Sequence, residues 1–169
     1  MTIFTAFSDG RFDLAGREVR CSIGKAGVIP AADKREGDLC SPLGVWPIRR
    51  LLWRPDKGPR PITALPVEAM TPTDGWCDAP ADPAYNQPVT LPYPASAERL
   101  WRDDDVYDLV AVLAHNDAPP VPGLGSAIFL HLARPGYLGT EGCVALARPD
   151  MEALLGLAAP GSAIEIRRA

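Results

Sequence analysis

Ala127-Ile128-Phe129-Leu130-His131 and Thr140-Glu141-Gly142-Cys143-Val144-Ala145-Leu146 are the two segments on which the reading of this chain turns. The first is an apolar run that ends in a histidine. Twelve positions after that histidine a glycine precedes a cysteine, and a second apolar run starts at once. Short apolar runs bounded by Gly and polar residues read as buried strands. Two such strands side by side bring a thiol and an imidazole to one pocket. A thiol attacks as its thiolate, and a free cysteine has a pKa of about 8.5, so it needs help at neutral pH. A neighbouring imidazole can take the proton. Gly142 leaves room beside the sulfur and permits a positive φ. The same residues also fit a structural role. Cysteine is among the most buried residue types, and Cys143 followed by Val-Ala-Leu also reads as core. A cysteine with a distant histidine does not separate the two readings.

The rest of the chain favours a mainly β fold. At 169 residues, 47% of them hydrophobic, it is expected to form a single domain over residues 1–169 with a real core. Nineteen prolines and fifteen glycines favour short strands and long shaped loops over helices. A net charge of −4 gives no general attraction to nucleic acid or anionic lipid. No apolar run approaches the roughly 20 residues that span a bilayer. Met1 to Phe7 lacks the basic start, long apolar stretch and cleavage site of a signal peptide. Cys21, Cys40, Cys77 and Cys143 have no zinc-site spacing. They are compatible with one disulfide, for example Cys40 to Cys77, and equally with four free thiols. No metal or other cofactor is expected: Asp103-Asp104-Asp105 reads as a solvated charge run, and no phosphate-binding glycine motif occurs.

Strands are expected over Thr2–Phe7, Arg11–Leu14, Gly16–Ile23, Val45–Arg54, Ile62–Met70, Val106–Ala114, Ser126–Leu132 and Ala163–Arg167. Ser8-Asp9-Gly10 is a turn signal. Cys21 shares a strand face with Val19 and Ile23 and is expected to be buried. Lys25 to Gly44 reads generically as a solvated loop, with Asp38 shaping its turn. Ser96 to Trp101 suits a short helix capped by Ser96. Pro149 to Leu157 suits another, with Met151, Leu154 and Leu155 on one face. Thr71 to Pro94 is long, proline-rich and carries Trp76 and Tyr85. It reads as an ordered flap over a cleft or, equally, as a wrapping loop with no substrate role. His115 ends a strand, where it either lines a cleft or sits exposed in a turn, the latter slightly preferred. Arg134 and Tyr137, between His131 and the cysteine motif, are candidates for substrate contact.

The chain resembles the L,D-transpeptidases of the YkuD family, peptidoglycan enzymes with a cysteine nucleophile. Their pattern is a histidine at a strand end, a loop, and then Ser/Thr-His-Gly-Cys. His131, Thr140, Gly142 and Cys143 match it. Upstream, Glu36-Gly37-Asp38 and Ser41-Pro42-Leu43-Gly44-Val45-Trp46 resemble the family's "GD…TPLGxF" segment, so the similarity spans roughly residues 16 to 168. Glu141 stands where most of the family has a second histidine, and Ala145 where most have Asn or Arg. In this the chain is similar to a compact proteobacterial branch reading "TEGCVA", some members of which are thought to join L-Ala to diaminopimelate (1,3 links) in place of the usual 3,3 links.

The resemblance implies a YkuD-like β-sandwich with long loops and one or two short helices. It implies a loop from Lys25 to Gly44 that borders the active site, with Pro42 packed beneath. Cys143 would be the nucleophile, His131 the base, and the backbone N–H groups of Gly142 and Cys143 the oxyanion donors. Glu141, Thr140, Tyr137, Arg134 and His115 are the expected substrate contacts, Glu141 either orienting His131 or receiving a substrate amine. The expected partners are peptidoglycan stem peptides, met by a monomer in the periplasm after export by a route left open. Alternatives are an L,D-carboxypeptidase or endopeptidase with the same Cys-His site, a non-catalytic wall-binding module, and a metal site at Cys143 and His131, for which two further ligands are lacking.

Overall fold

Alternating apolar residues near both chain ends build one layer. The computed structural model describes every residue from Met1 to Ala169. β1 (Ile3–Phe7), β2 (Arg11–Leu14) and β3 (Arg17–Ser22) form an antiparallel meander. Phe4, Ala6, Phe12, Leu14 and Cys21 fall on its buried face, as the period-2 pattern requires. β4 (Val28–Pro30) is a short strand parallel to the start of β5 (Ser41–Trp53), and β6 (Val67–Ala69) lies parallel to its end. β7 (Asp74–Cys77), β8 (Pro88–Thr90) and β9 (Ala97–Arg99) make a separate small antiparallel sheet. β10 (Leu109–Leu113), β11 (Phe129–Leu132) and β12 (Val144–Leu146) form the second layer. Helix α1 (Arg148–Leu157) follows, and β13 (Ala163–Arg167) returns to pair in parallel with β1.

Two strands belong to both layers and join them. The first part of β5 pairs with β13 and the second part with β10. β3 pairs with β2 through Arg17–Arg20, then with β12 through Cys21 and Ser22. The main sheet therefore closes on itself, which removes most free edges. Between the layers Phe4, Phe12, Ile164 and Ile166 meet Leu51, Ala111, Leu130 and Leu146 in the principal core. Helix α1 adds Met151, Leu154 and Leu155 to it from one face, with Pro149 in its first turn.

The second layer is buried on both sides. Leu109, Ala111 and Leu113 of β10 face the principal core, while Val110 and Val112 join Trp76, Leu100 and Phe129 in a second cluster. The small sheet β7–β9 covers that outer face. Such strands read as continuous apolar runs rather than alternating ones. Thr71 to Pro94 thus contains two strands of a cover.

Several expectations need correction. Ser96–Trp101 is not helical: Ala97–Arg99 is strand β9, paired with β7, and the Ser96 hydroxyl bonds Asp78 Oδ1 (2.6 Å) in place of a helix N–H. Six residues without an apolar face do not offset helix nucleation when a strand partner is at hand. Ile62–Met70 shrinks to Val67–Ala69, with Ile62 itself exposed. Lys25–Gly44 is not wholly solvated: Lys34 is buried and ion-paired to Asp38, whose carboxylate also accepts the N–H groups of Arg35 and Cys40 and so shapes the turn. Cys40 and Cys77 are not bridged; all four cysteines are free thiols.

β5 is fastened to the approach to β12 at its first residue. The fully buried Ser41 hydroxyl accepts the Gly24 N–H (2.9 Å) and donates to the Gly142 carbonyl (2.7 Å). Ser41→Ala strands both groups. At about 1–3 kcal/mol for each buried polar group left unpaired, the expected loss is roughly 2–6 kcal/mol. Urea unfolding should show it as a lower midpoint at unchanged slope; a loss under about 1 kcal/mol would mean the clamp carries little.

Candidate active site

β11 and β12 run parallel with Leu130 opposite Val144, His131 opposite Ala145 and Leu132 opposite Leu146. Leu130, Leu132, Val144 and Leu146 point into the principal core. By alternation Phe129, His131, Cys143 and Ala145 lie on the other face. The thiol and the imidazole therefore share one face of neighbouring strands, two positions out of step. Both line a cavity of about 320 Å³ beneath the small sheet. A larger cavity of about 430 Å³, between residues 53–62 and α1, holds neither cysteine nor histidine, so chemistry and not size selects the site.

The turn into the cysteine is closed by its own side chains. The Thr140 hydroxyl donates to the Cys143 carbonyl (2.6 Å) and accepts the Gly142 N–H (3.1 Å). The Lys25 N–H donates to the Thr140 carbonyl (2.7 Å), and the Thr140 N–H to that of Ile23 (2.9 Å). Gly142 has φ of 142°, and a Cβ there would stand 2.9 Å from the Cys40 carbonyl oxygen. Glycine is required on both counts. The two N–H groups expected as oxyanion donors differ in their partners. The Gly142 N–H is already engaged by Thr140, which leaves the Cys143 N–H without a protein partner.

The candidate nucleophile Cys143 is a buried thiol. Cys143 Sγ donates to the Ala127 carbonyl (3.2 Å) and receives the Phe129 N–H (3.4 Å). Burial pushes its pKa up to about 12; the Glu98 carboxylate adds to the rise and the Phe129 N–H opposes it. Burial likewise holds His131 down to about 4, with Arg134 and Arg102 lowering it further. His131 Nδ1 lies 2.9 Å from the Leu132 carbonyl oxygen. A carbonyl only accepts, so Nδ1 carries the proton and Nε2 keeps its lone pair. No hydrogen bond joins sulfur to imidazole here. Burial disfavours the charged form of each, and so opposes a resting thiolate–imidazolium couple.

The other expected residues divide. Thr140, Glu141 and Arg134 line the cavity, and Arg134 makes no ion pair. Glu141 is exposed and makes no hydrogen bond to His131; the Leu132 carbonyl orients the ring in its place. Tyr137 does not line the cavity: its ring lies 4.5 Å beneath the Arg20 guanidinium. His115 is neither a cleft residue nor an exposed turn. It is 5% exposed, edge-on to Trp46, and burial holds its pKa down to about 4.

Four residues escaped sequence reasoning. Glu98 and Tyr107 form part of the cavity wall, and the Tyr107 hydroxyl donates to Glu98. Arg102 lies over the Tyr107 ring, 5.4 Å from its centre. Asn86 is buried and ties the cover to the site: its carbonyl accepts from Trp76 Nε1 (2.9 Å) and from the Ala127 N–H (3.0 Å). An extended reading of 97–99 was the one signal that could have brought Glu98 forward.

The family model described as the L,D-transpeptidase catalytic domain (YkuD) matches residues 1–166 of the 169. No curated protein and no solved structure matches the chain. Nearly full coverage by that model, on a strand-built fold with a thiol and an imidazole at one cavity, places this chain in the YkuD family of L,D-transpeptidase catalytic domains, a cysteine-dependent family that acts on peptidoglycan.

Proposed function

We propose that this protein is a peptidoglycan L,D-transpeptidase that forms peptide cross-links through a thioester on Cys143, of the 3,3 type or, by its TEGCVA motif, the 1,3 type. The observation that carries this is the shared cavity of Cys143 and His131, with His131 Nδ1 fixed by the Leu132 carbonyl. We place the reaction in the periplasm and assign it to a monomer with residues 1–169 as one domain. No helix of the chain is long and apolar enough to cross a membrane.

In the proposed reaction His131 Nε2 takes the thiol proton as sulfur attacks the carbonyl of a donor stem peptide. Charge gathers on the carbonyl oxygen, for which the Cys143 N–H is the available donor. The bond to the leaving amine breaks, and His131 returns the proton to that amine. An amine of a second stem then attacks the thioester, and sulfur leaves. Arg134, with no ion pair of its own, suits a stem carboxylate. Glu141, exposed on the rim, suits a substrate ammonium group.

With purified muropeptides, Cys143→Ala is expected to lose all cross-linking. His131→Ala is expected to lose about 10²–10⁴-fold, the usual range for a general base. Both variants should keep the parent circular dichroism spectrum. Full cross-linking by Cys143→Ala would sink the assignment. Mass mapping of the dimers separates 3,3 from 1,3 links. Trimmed monomers alone would mean a carboxypeptidase or endopeptidase, and no turnover with no Cys143 adduct a wall-binding module.

The neutral pair has its own consequence. A thiol held well above neutrality by burial yields more thiolate with each rise in pH. Alkylation of Cys143 by iodoacetamide should climb about tenfold per unit from about pH 7 to 10. A plateau near neutral pH would indicate a preformed ion pair instead.

A further inference from the structure

One wall of the cavity is built by the cover and by Val106 and Tyr107, which lead into β10. β9 carries Glu98, and one of its carboxylate oxygens accepts the Tyr107 hydroxyl. The Tyr107 ring, 5% exposed, meets the His131 ring edge to face with centres 5.2 Å apart. Glu98, Tyr107 and His131 thus form one run of contacts beside Cys143. The second Glu98 oxygen has no protein hydrogen bond, and no ion pair reaches the carboxylate. The nearby Arg102 is committed to Asp104 through two bonds of 2.8 and 2.7 Å. The other carboxylates of the cavity differ. Glu36 is held by Tyr85 and Ser126, Asp78 by Ser96, and Glu141 is exposed.

We propose that Glu98 is the acceptor-side base: it binds the ammonium group of the incoming stem and takes its proton as the nitrogen attacks the thioester, with Tyr107 as the residue that positions it. This rests on the thioester reading above. A side-chain amine has a pKa of about 10.4 and arrives protonated, yet only its neutral form attacks. His131 serves the sulfur and cannot hold both protons. Burial raises Glu98 to about 7, against the opposing pull of the Tyr107 hydrogen bond and Arg102. A base with a pKa near the working pH is the efficient kind. The placement has a cost, because the same carboxylate raises the thiol pKa. A negative charge that hinders the first half-reaction is understandable where it serves the second.

The protons balance. The ammonium gives one proton to Glu98. The nitrogen forms its bond to the carbonyl carbon and passes its second proton to His131. The carbon–sulfur bond breaks with its electron pair on sulfur, which takes the proton from His131. Glu98 then releases its proton to solvent.

The experiment measures partition of the acyl-enzyme between cross-link and hydrolysis, using a tetrapeptide muropeptide donor and a diaminopimelate-bearing acceptor. Intact mass reports the Cys143 adduct. In Glu98→Gln the adduct should still form, and the cross-link to hydrolysis ratio should fall at least about tenfold. With hydroxylamine as acceptor, an amine largely unprotonated at neutral pH, the ratio should stay within about twofold of the parent, because no base is needed. Tyr107→Phe removes a hydrogen bond that favours the carboxylate, so the acidic limb of the cross-linking profile should move to higher pH. An unchanged ratio in Glu98→Gln, an equal fall with hydroxylamine, or an unmoved limb in Tyr107→Phe would each overturn the proposal while leaving the thioester intact. Absence of any adduct in the parent protein would overturn both.

Discussion

A buried turn that must satisfy its own backbone governs the site. Thr140 to Cys143 enters the interior between two strands, where an unpaired N–H or C=O costs about 1–3 kcal/mol. Thr140 closes the turn from within, and Ser41 and the Ile23–Lys25 backbone close it from outside. Ser41 opens β5, the strand that joins the two layers. The thiol is therefore referenced to the whole closed sheet and not to one loop. The Cys143 N–H is left without a protein partner, as the proposed acyl transfer would require.

The sulfur is fixed from its other side by a strained segment. Ala127 has φ of 53°, a left-handed conformation that costs an L-residue with a Cβ roughly 1–2 kcal/mol. That conformation presents its carbonyl to Sγ. Asn86, itself at φ 57°, accepts the Ala127 N–H and donates to the carbonyls of His115 and Asn116. Each such bond contributes about 1 kcal/mol, so the node offsets the strain it fixes. Trp76 bonds the same Asn86 oxygen and packs edge-on against Phe129, with ring centres 5.0 Å apart. The cover and the loop that holds Cys143 Sγ thus meet at one amide.

How far the sequence could be read follows from where each interaction lies along the chain. Local patterns were legible: the period-2 alternation of β1, β2 and β13, and the apolar face of α1, need only neighbouring residues. That Cys143 and His131 would come near one another was legible because one precedes an apolar run and the other closes one. What escaped depends on partners distant in sequence. Residues 97–99 become a strand through pairing with Gly75, Trp76 and Cys77, twenty or more positions away. Glu98 gains meaning only once that pairing swings it over the cavity. His115 looked like a turn residue because its neighbours are polar, yet Trp46 and Asn86 enclose it. Tyr137 lay between two catalytic candidates in sequence, and a cation on another strand captured it.

Burial of both Cys143 and His131 limits how the first step of the proposed reaction could proceed. Moving a proton from Cys143 to His131 in the empty site is uphill at both ends, since burial opposes the thiolate and the imidazolium alike. A free ion pair is therefore a poor intermediate. The proposed reaction would then need proton transfer to accompany bond formation, so that charge would appear on the substrate oxygen beside the Cys143 N–H rather than on sulfur. Substrate can also shift the balance. Arg134 is among the groups that depress His131, and it has no partner of its own. A stem carboxylate paired with Arg134 would cancel that positive field and make the imidazole a stronger base. Under the proposed function the imidazole would gain basicity from a bound stem peptide, and burial would keep the thiol inert until one arrived.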